Sequence, residues 1–142
     1  MKVMLMYRMP EDFSKPPSPP TEAALAEMGK FNEALVNAGV ILAGEGLHST
    51  QRGKRIKFDG KKRAVVDGPF TEAKEMIGGF WLWQVKSMDE ALEWIKRSPF
   101  TEGEIELRQV MSPEDYAPSD PTGELRAAEA RLRAQSENKN KP

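Results

Sequence analysis

Apolar and polar residues alternate along this chain with periods that change at identifiable breakpoints. Val3 to Met9 is apolar and β-compatible, which predicts a first strand. Glu11 to Pro20 contains Pro16, Pro17, Pro19 and Pro20, so neither a helix nor an inner strand is expected there. Leu25, Met28, Phe31, Leu35 and Ala38 then recur at steps of three and four and form the apolar stripe of a helix. Thr21 stands where a cap belongs, Glu22 lies in the first turn, and Gly39 is placed to end the helix in a left-handed cap. Val40 to Ala43 reads as a short second strand running into a flexible bend, Gly44 to His48. Lys54 to Phe58 and Arg63 to Val66 alternate around Asp59-Gly60, the signature of a hairpin.

The second half repeats the logic. Thr71 to Glu75 is expected to form one helical turn. Phe80 to Val85 predicts a strand with Phe80, Leu82 and Gln84 on one face and Trp81, Trp83 and Val85 on the other. Ser87-Met88-Asp89-Glu90 is a capping box that starts a second helix, and Pro99 stops it. Glu104 to Met111 reads as the last strand. After Ser112 the pattern thins. Residues 112–142 are expected to be a C-terminal extension with a helix over 124–135, striped by Leu125, Ala128 and Leu132, and a disordered tail from Ser136 to Pro142. Strand, helix, strand, hairpin, strand, helix, strand predicts an α+β ferredoxin-like plait with a β-hairpin extension. Its helices cover one face of the sheet. The apolar residues of the other face call for cover by a second copy, so a homodimer is expected.

Composition narrows the function. With 142 residues, 39% hydrophobic and 30% charged, the chain is one ordinary globular domain. Twenty-one basic against twenty-two acidic residues leave a net charge of −1, so neither nucleic acid nor an anionic membrane is an expected partner. The absence of cysteine excludes disulfides, thiolate metal sites and thiol nucleophiles. One histidine and scattered carboxylates provide no metal-ligand spacing, and no phosphate loop or dinucleotide fingerprint occurs, so no metal or cofactor is expected. The apolar run in MKVMLMYRMP is too short for a signal peptide, which predicts a cytoplasmic protein.

One segment is more specific. Val65-Val66-Asp67-Gly68-Pro69-Phe70-Thr71-Glu72-Ala73-Lys74-Glu75 closely resembles the signature of the YCII-related (DGPF) family. Leu42 to His48, Gly78-Gly79-Phe80, Asp89-Glu90-Ala91 with Trp94, and Ile105 to Val110 resemble it too, so the likeness covers residues 1–111. The resemblance implies a ferredoxin-like fold that pairs into a dimeric α/β barrel. It further implies a cleft lined by polar residues near the sheet. Some YCII-like relatives are enzymes on small aromatic compounds, with a His–Asp pair proposed as active site in the wider superfamily. Other relatives lie near, or are fused to, sigma factors of transcription.

His48, the only histidine, is the one side chain naturally poised to exchange a proton near neutrality. Glu45 and Asp67 are the carboxylates expected to orient it, giving a cofactor-free acid–base enzyme on a small polar or aromatic molecule. Asp67 equally suits a bond to the backbone of its own turn. Lys74 and Glu75, with Gly68 and Phe70, would line a ligand site if the Thr71 turn presents a helix N-terminus to an anion. Trp81 is either a wall of that site or part of the core. The alternative function is a small-ligand-binding or regulatory module, working with the transcription machinery and without catalysis. A dimer with no pocket is the third reading.

Overall fold

A computed structural model describes residues 1–142, which divide into a body, Met1–Gln109, and a C-terminal unit, Val110–Pro142. In the body, β1 (Lys2–Met9), β2 (Ile41–Gly46), β5 (Met76–Gln84) and β6 (Glu104–Gln109) form one sheet in the order β2-β5-β1-β6. All its pairings are antiparallel. Helices α1 (Glu22–Asn37) and α2 (Met88–Ile95) make the two crossovers. β3 (Lys54–Asp59) and β4 (Lys62–Asp67) form a separate two-stranded ribbon, inserted between β2 and β5. The architecture is mixed α+β, consistent with a ferredoxin-like plait, and the sheet of the single chain does not close into a barrel.

Local chemistry explains the boundaries. Thr21 Oγ1 accepts from Ala24 N at 3.1 Å, and Gly39, with φ +70°, turns the chain out of α1. Ser87 Oγ accepts from Glu90 N at 3.1 Å, while the Glu90 carboxylate accepts from Lys86 N at 2.6 Å. Gly60 takes φ +59° at the ribbon's turn.

The core lies between the sheet and its helices. Val3, Leu5, Leu35 and Trp83 are fully buried, with Phe31, Val40, Trp81, Val85 and Ala91 around them. Trp81 meets Phe31 at 5.7 Å and Phe100 at 5.9 Å, both edge-on, the orientation favoured by the ring quadrupoles. Its Nε1 donates to Asn32 Oδ1 at 3.1 Å. Trp83 Nε1 has no partner in the protein, so this position is held by apolar burial alone.

Three expectations change. The bend expected at Gly44 to His48 is instead strand as far as Gly46, because Gly44 pairs opposite Trp81. Gly78 and Gly79 lie within β5, where Gly79 leaves room for the Glu45 carbonyl. Thr71 to Glu75 forms turns and no helix, so the helix N-terminus expected to hold an anion there does not exist.

In the C-terminal unit, a 3-10 segment (Pro113–Ser119) precedes α3 (Glu124–Lys139). The helix runs four residues beyond the expected 124–135, so Ser136 to Lys139 is helical where disorder was expected. No residue of α3 is buried. Its N-terminus is held by Asp120, whose carboxylate accepts from Leu125 N at 3.2 Å, Arg126 N at 2.9 Å and Arg126 Nε at 3.1 Å. These bonds, the Arg126 N–H first, hold the Asp120 carboxyl below its ordinary value. Gly123 stands at the cap position with φ +79° and has no side chain to offer, so the aspartate four residues before the helix does the capping.

A Cβ on Gly44 would lie 2.5 Å from Trp81 Cδ1. Gly44→Ala is therefore expected to displace the indole, break its bond to Asn32 and destabilise the body by about 1–3 kcal/mol. Urea unfolding followed by tryptophan fluorescence checks this. A variant as stable as the parent would mean that the ring has room to move.

Candidate functional site

Of the candidate residues, His48, Asp67, Gly68 and Phe70 lie at the link between β2 and the ribbon, and this link is organised from a distance. Glu11 follows β1 and opens the proline-rich loop. Its carboxylate accepts from Ser49 Oγ, from Thr50 N at 2.9 Å and from Thr50 Oγ1 at 2.5 Å. Ser49 Oγ in turn accepts from Gln51 N at 3.2 Å and caps a 3-10 turn, Thr50–Arg52. Partial burial raises the Glu11 pKa, but the bonds from Ser49 and Thr50 outweigh it, and the carboxyl sits below its ordinary value.

Thr50 also receives the motif segment. Phe70 N donates to Thr50 Oγ1 at 3.3 Å, and Gly68 N donates to Gly53 O at 2.9 Å. Gly68 approaches so closely that a Cβ there would fall 1.7 Å from Thr50 O. Phe70 is buried, with the Arg55 guanidinium 3.9 Å above its ring. Arg55 then pairs with Glu72 at 2.6 Å. At the far end of the motif, Glu75 pairs with Arg8 at 3.4 Å, and Arg8 pairs with Glu106 of β6 at 3.1 Å. The motif's Gly68, Phe70, Glu72 and Glu75 are thus occupied in holding the loop to the ribbon base and the sheet.

The expected acid–base set does not assemble by hydrogen bonding. His48 is exposed, and its Nε2 lies 3.1 Å from Arg52 Nη1. Arginine can only donate, so Nε2 is the acceptor and carries no proton in this bond. Asp67 is 74% exposed and pairs with Lys54 at 2.5 Å, across the first rung of the ribbon. It bonds neither its own turn nor His48. Glu45 is exposed on β2, opposite Phe80, and engages neither. Trp81, 8% exposed and bonded to Asn32, belongs to the core. Lys74 is exposed and carries no ion pair.

The sheet face opposite the core is apolar along its middle strands. Register places Glu45, Phe80, Met6 and Glu106 in one row across the four strands. Met4 and Leu82 are paired in the row beyond. All four apolar side chains are half-buried. Elsewhere, a depression of about 290 Å3 between α1 and the end of α2 is lined by Phe31, Lys30, Trp94 and Arg97, remote in sequence from the motif. No helix is long and apolar enough to cross a membrane.

Sequence reading missed Glu11, Ser49 and Thr50, and saw Arg52 only as the start of a basic run. A carboxylate before a proline-rich loop and a Ser-Thr pair before a basic run are individually unremarkable, and 38 residues separate Glu11 from Ser49. Their partnership exists only after β1 and β2 are laid into one sheet.

The fold and the motif loop together define a small α+β domain with an antiparallel four-stranded sheet, a two-stranded insertion and a polar rim. Residues 1–114 match the model of the YCII-related domain, and the chain belongs to that family. A protein of Rhizobium meliloti (strain 1021), described as uncharacterized, is 29% identical over 75 residues, or 53% of this chain. The match spans 60% of that relative's length.

Glu11 carries a pH signature. Because its folded-state pKa is lowered, its contribution to stability is complete above the ordinary value of 4.5 and is lost as pH falls below that value through the folded one. Glu11→Gln should lower stability at neutral pH by about 1 kcal/mol, the low end for a charged hydrogen-bond network that is only partly buried. Denaturation of both proteins at a series of pH values should show the gap closing in acid. A gap unchanged at pH 3 would assign the effect to something other than this carboxylate. Gly68→Ala should cost about 2 kcal/mol or more, since backbone rather than a flexible side chain must move.

Proposed function

We propose that this protein is a homodimeric small-ligand-binding module, in which the His48–Arg52 pair recognises an anionic metabolite bearing a carboxylate or phosphate. The single observation that carries the reading is that the only imidazole is engaged by a guanidinium and not by a carboxylate. An acid–base catalyst needs its histidine oriented by Asp67 or Glu45, and neither bonds it. A histidine whose Nε2 accepts from an arginine instead offers an anion a forked donor and the imidazole's Nδ1–H beside it. Lys74, exposed and free of ion pairs, is a further cation on the motif loop.

The dimer is supported by the sheet's free face. Met4, Met6, Phe80 and Leu82 form an apolar centre, bordered by Glu45, Glu106 and Arg8, on the side that the helices leave open. Pairing this face with its copy buries it and gives the two-sheet barrel implied by the family. The protein acts in the cytoplasm in this reading, and a transcription factor is a natural receiver of a ligand signal.

The test follows the single histidine. Titrating inorganic phosphate, and separately benzoate, into the protein while recording the His48 ring resonances by NMR should produce a saturable shift. Arg52→Gln should weaken that binding about tenfold, the worth of one charge-assisted contact. If the resonances stay still up to about 10 mM of either anion, beyond the weak end of specific recognition, the ligand reading fails. Sedimentation should give twice the 15.9 kDa mass of the chain, falling towards the single-chain mass in Met6→Glu.

A further inference from the structure

The β3–β4 ribbon is the least covered part of the body, for every residue of both strands is exposed. Its register sorts the side chains. Ile56 lies opposite Val65 and Phe58 opposite Arg63, on one face with Lys54 and Asp67. Arg55, Lys57, Asp59, Lys62, Ala64 and Val66 occupy the other face. Ile56, Phe58 and Val65 are 51%, 67% and 64% exposed and form an apolar strip, with the Arg63 guanidinium 4.7 Å over the Phe58 ring at its end. A two-stranded ribbon is marginal on its own. This one is nevertheless fastened at its base, by Lys54 on Asp67, by Gly68 N on Gly53 O and by Arg55 between Phe70 and Glu72. The base fixes the direction of an arm whose apolar face meets nothing in the chain's own body.

The near-zero net charge conceals a division that says what the arm meets. Residues 54–67 carry six cations against two acids, a net +4. The rest of Met1–Gln109 carries ten cations against fourteen acids, a net −4. Arm and body are therefore electrostatic complements, equal and opposite. Beyond the Arg55–Glu72 pair at its base, no ion pair joins the arm to the rest of its own chain. Between two chains related by a twofold axis, each arm can lie on the other body, and both contacts form at once.

We propose that the ribbon is a clasp, which lays its Ile56–Phe58–Val65 face on the acidic body of a second copy at the rim of the free sheet face, while the partner's ribbon does the same in return. Glu102 and Glu104, at the edge strand β6 and without ion pairs, are acids of the kind that Lys57, Lys61 and Lys62 would meet there. The clasp rests on the dimer proposed above and adds a second contact to it. Apolar burial supplies the attraction, and the charges select the body over a second arm, which would bring like charges together.

A photo-crosslinking amino acid in place of Phe58 tests this in the full chain. Irradiation of a mixture of unlabelled and 15N-labelled protein should yield mixed covalent dimers, with the crosslinked peptides falling in residues 1–53 or 68–109 of the other copy. Phe58→Asp should raise the dimer dissociation constant about tenfold or more, as expected when an aromatic anchor is removed. The dimer should also weaken as salt is raised. Far-UV circular dichroism and tryptophan emission, which report the distant core, should stay unchanged. If the protein sediments as a dimer that Met6→Glu disrupts, but Phe58→Asp does not weaken it and no crosslink between copies forms, the clasp is wrong and the sheet-face dimer stands. Crosslinks confined to the other ribbon or the C-terminal unit overturn it equally. A parent protein that sediments as a single chain overturns both the clasp and the dimer.

Discussion

The site region depends on one carboxylate. Glu11 receives the Ser49 hydroxyl, the Thr50 amide and the Thr50 hydroxyl, and the Thr50 oxygen in turn receives the Phe70 amide. A residue that leaves β1 thereby fixes the exit of β2, the root of the ribbon and the start of the motif segment. A polar chain of this kind is cooperative, because each hydroxyl donates one way and accepts the other. It also requires close approach, which Gly68 permits by having no side chain where Thr50 O passes. The arrangement sits at the surface end of the sheet, where hydrogen bonds do the work that apolar packing does in the core.

This division explains why the most recognisable stretch of the sequence is mostly mechanical. Gly68 provides the close contact, Phe70 the buried plug beneath Arg55, and Glu72 and Glu75 the ties to Arg55 and Arg8. Asp67 joins them through Lys54, although both partners are so exposed that the pair adds little stability. Most of the motif's polar groups are therefore committed to the chain itself. His48 and Arg52, before the motif, engage each other, and Lys74, within it, carries no ion pair. In the proposed function these are the groups that meet the anion.

Two surfaces of the body carry apolar residues away from its core, half-buried on the sheet and exposed on the ribbon. The sheet face opposite the core is apolar at its centre and charged at its border, and the ribbon carries an apolar strip on one face and a net charge of +4. In the proposed dimer each finds cover in the other copy, so the chain's near-neutral charge is the sum of two opposed domains of charge.

The elements themselves were legible in the linear pattern. The 3.6-residue stripe of α1, the capping box before α2, the Asp59-Gly60 turn and the two-faced alternation at Phe80 to Val85 are local, and each follows from backbone sterics and burial within a few residues. That Trp81 and Trp83 share a face was legible from the same alternation, whereas the choice of the core over a ligand wall for Trp81 came from the structure. Where local signals misled, a tertiary contact intervened. Gly44 to Gly46 became strand because the Trp81 indole needed a position without a side chain opposite it. Thr71 to Glu75 forms turns, with Glu72 paired to Arg55 and Glu75 to Arg8. The pairing of His48 with Arg52, of Asp67 with Lys54 and of Glu11 with Thr50 belongs wholly to the tertiary structure. Histidine, aspartate and glutamate each have many partners of suitable chemistry in a chain that is 30% charged, and sequence alone ranks them by nothing but type. Only the folding of β1, β2 and the ribbon into one framework turns residue types into neighbours.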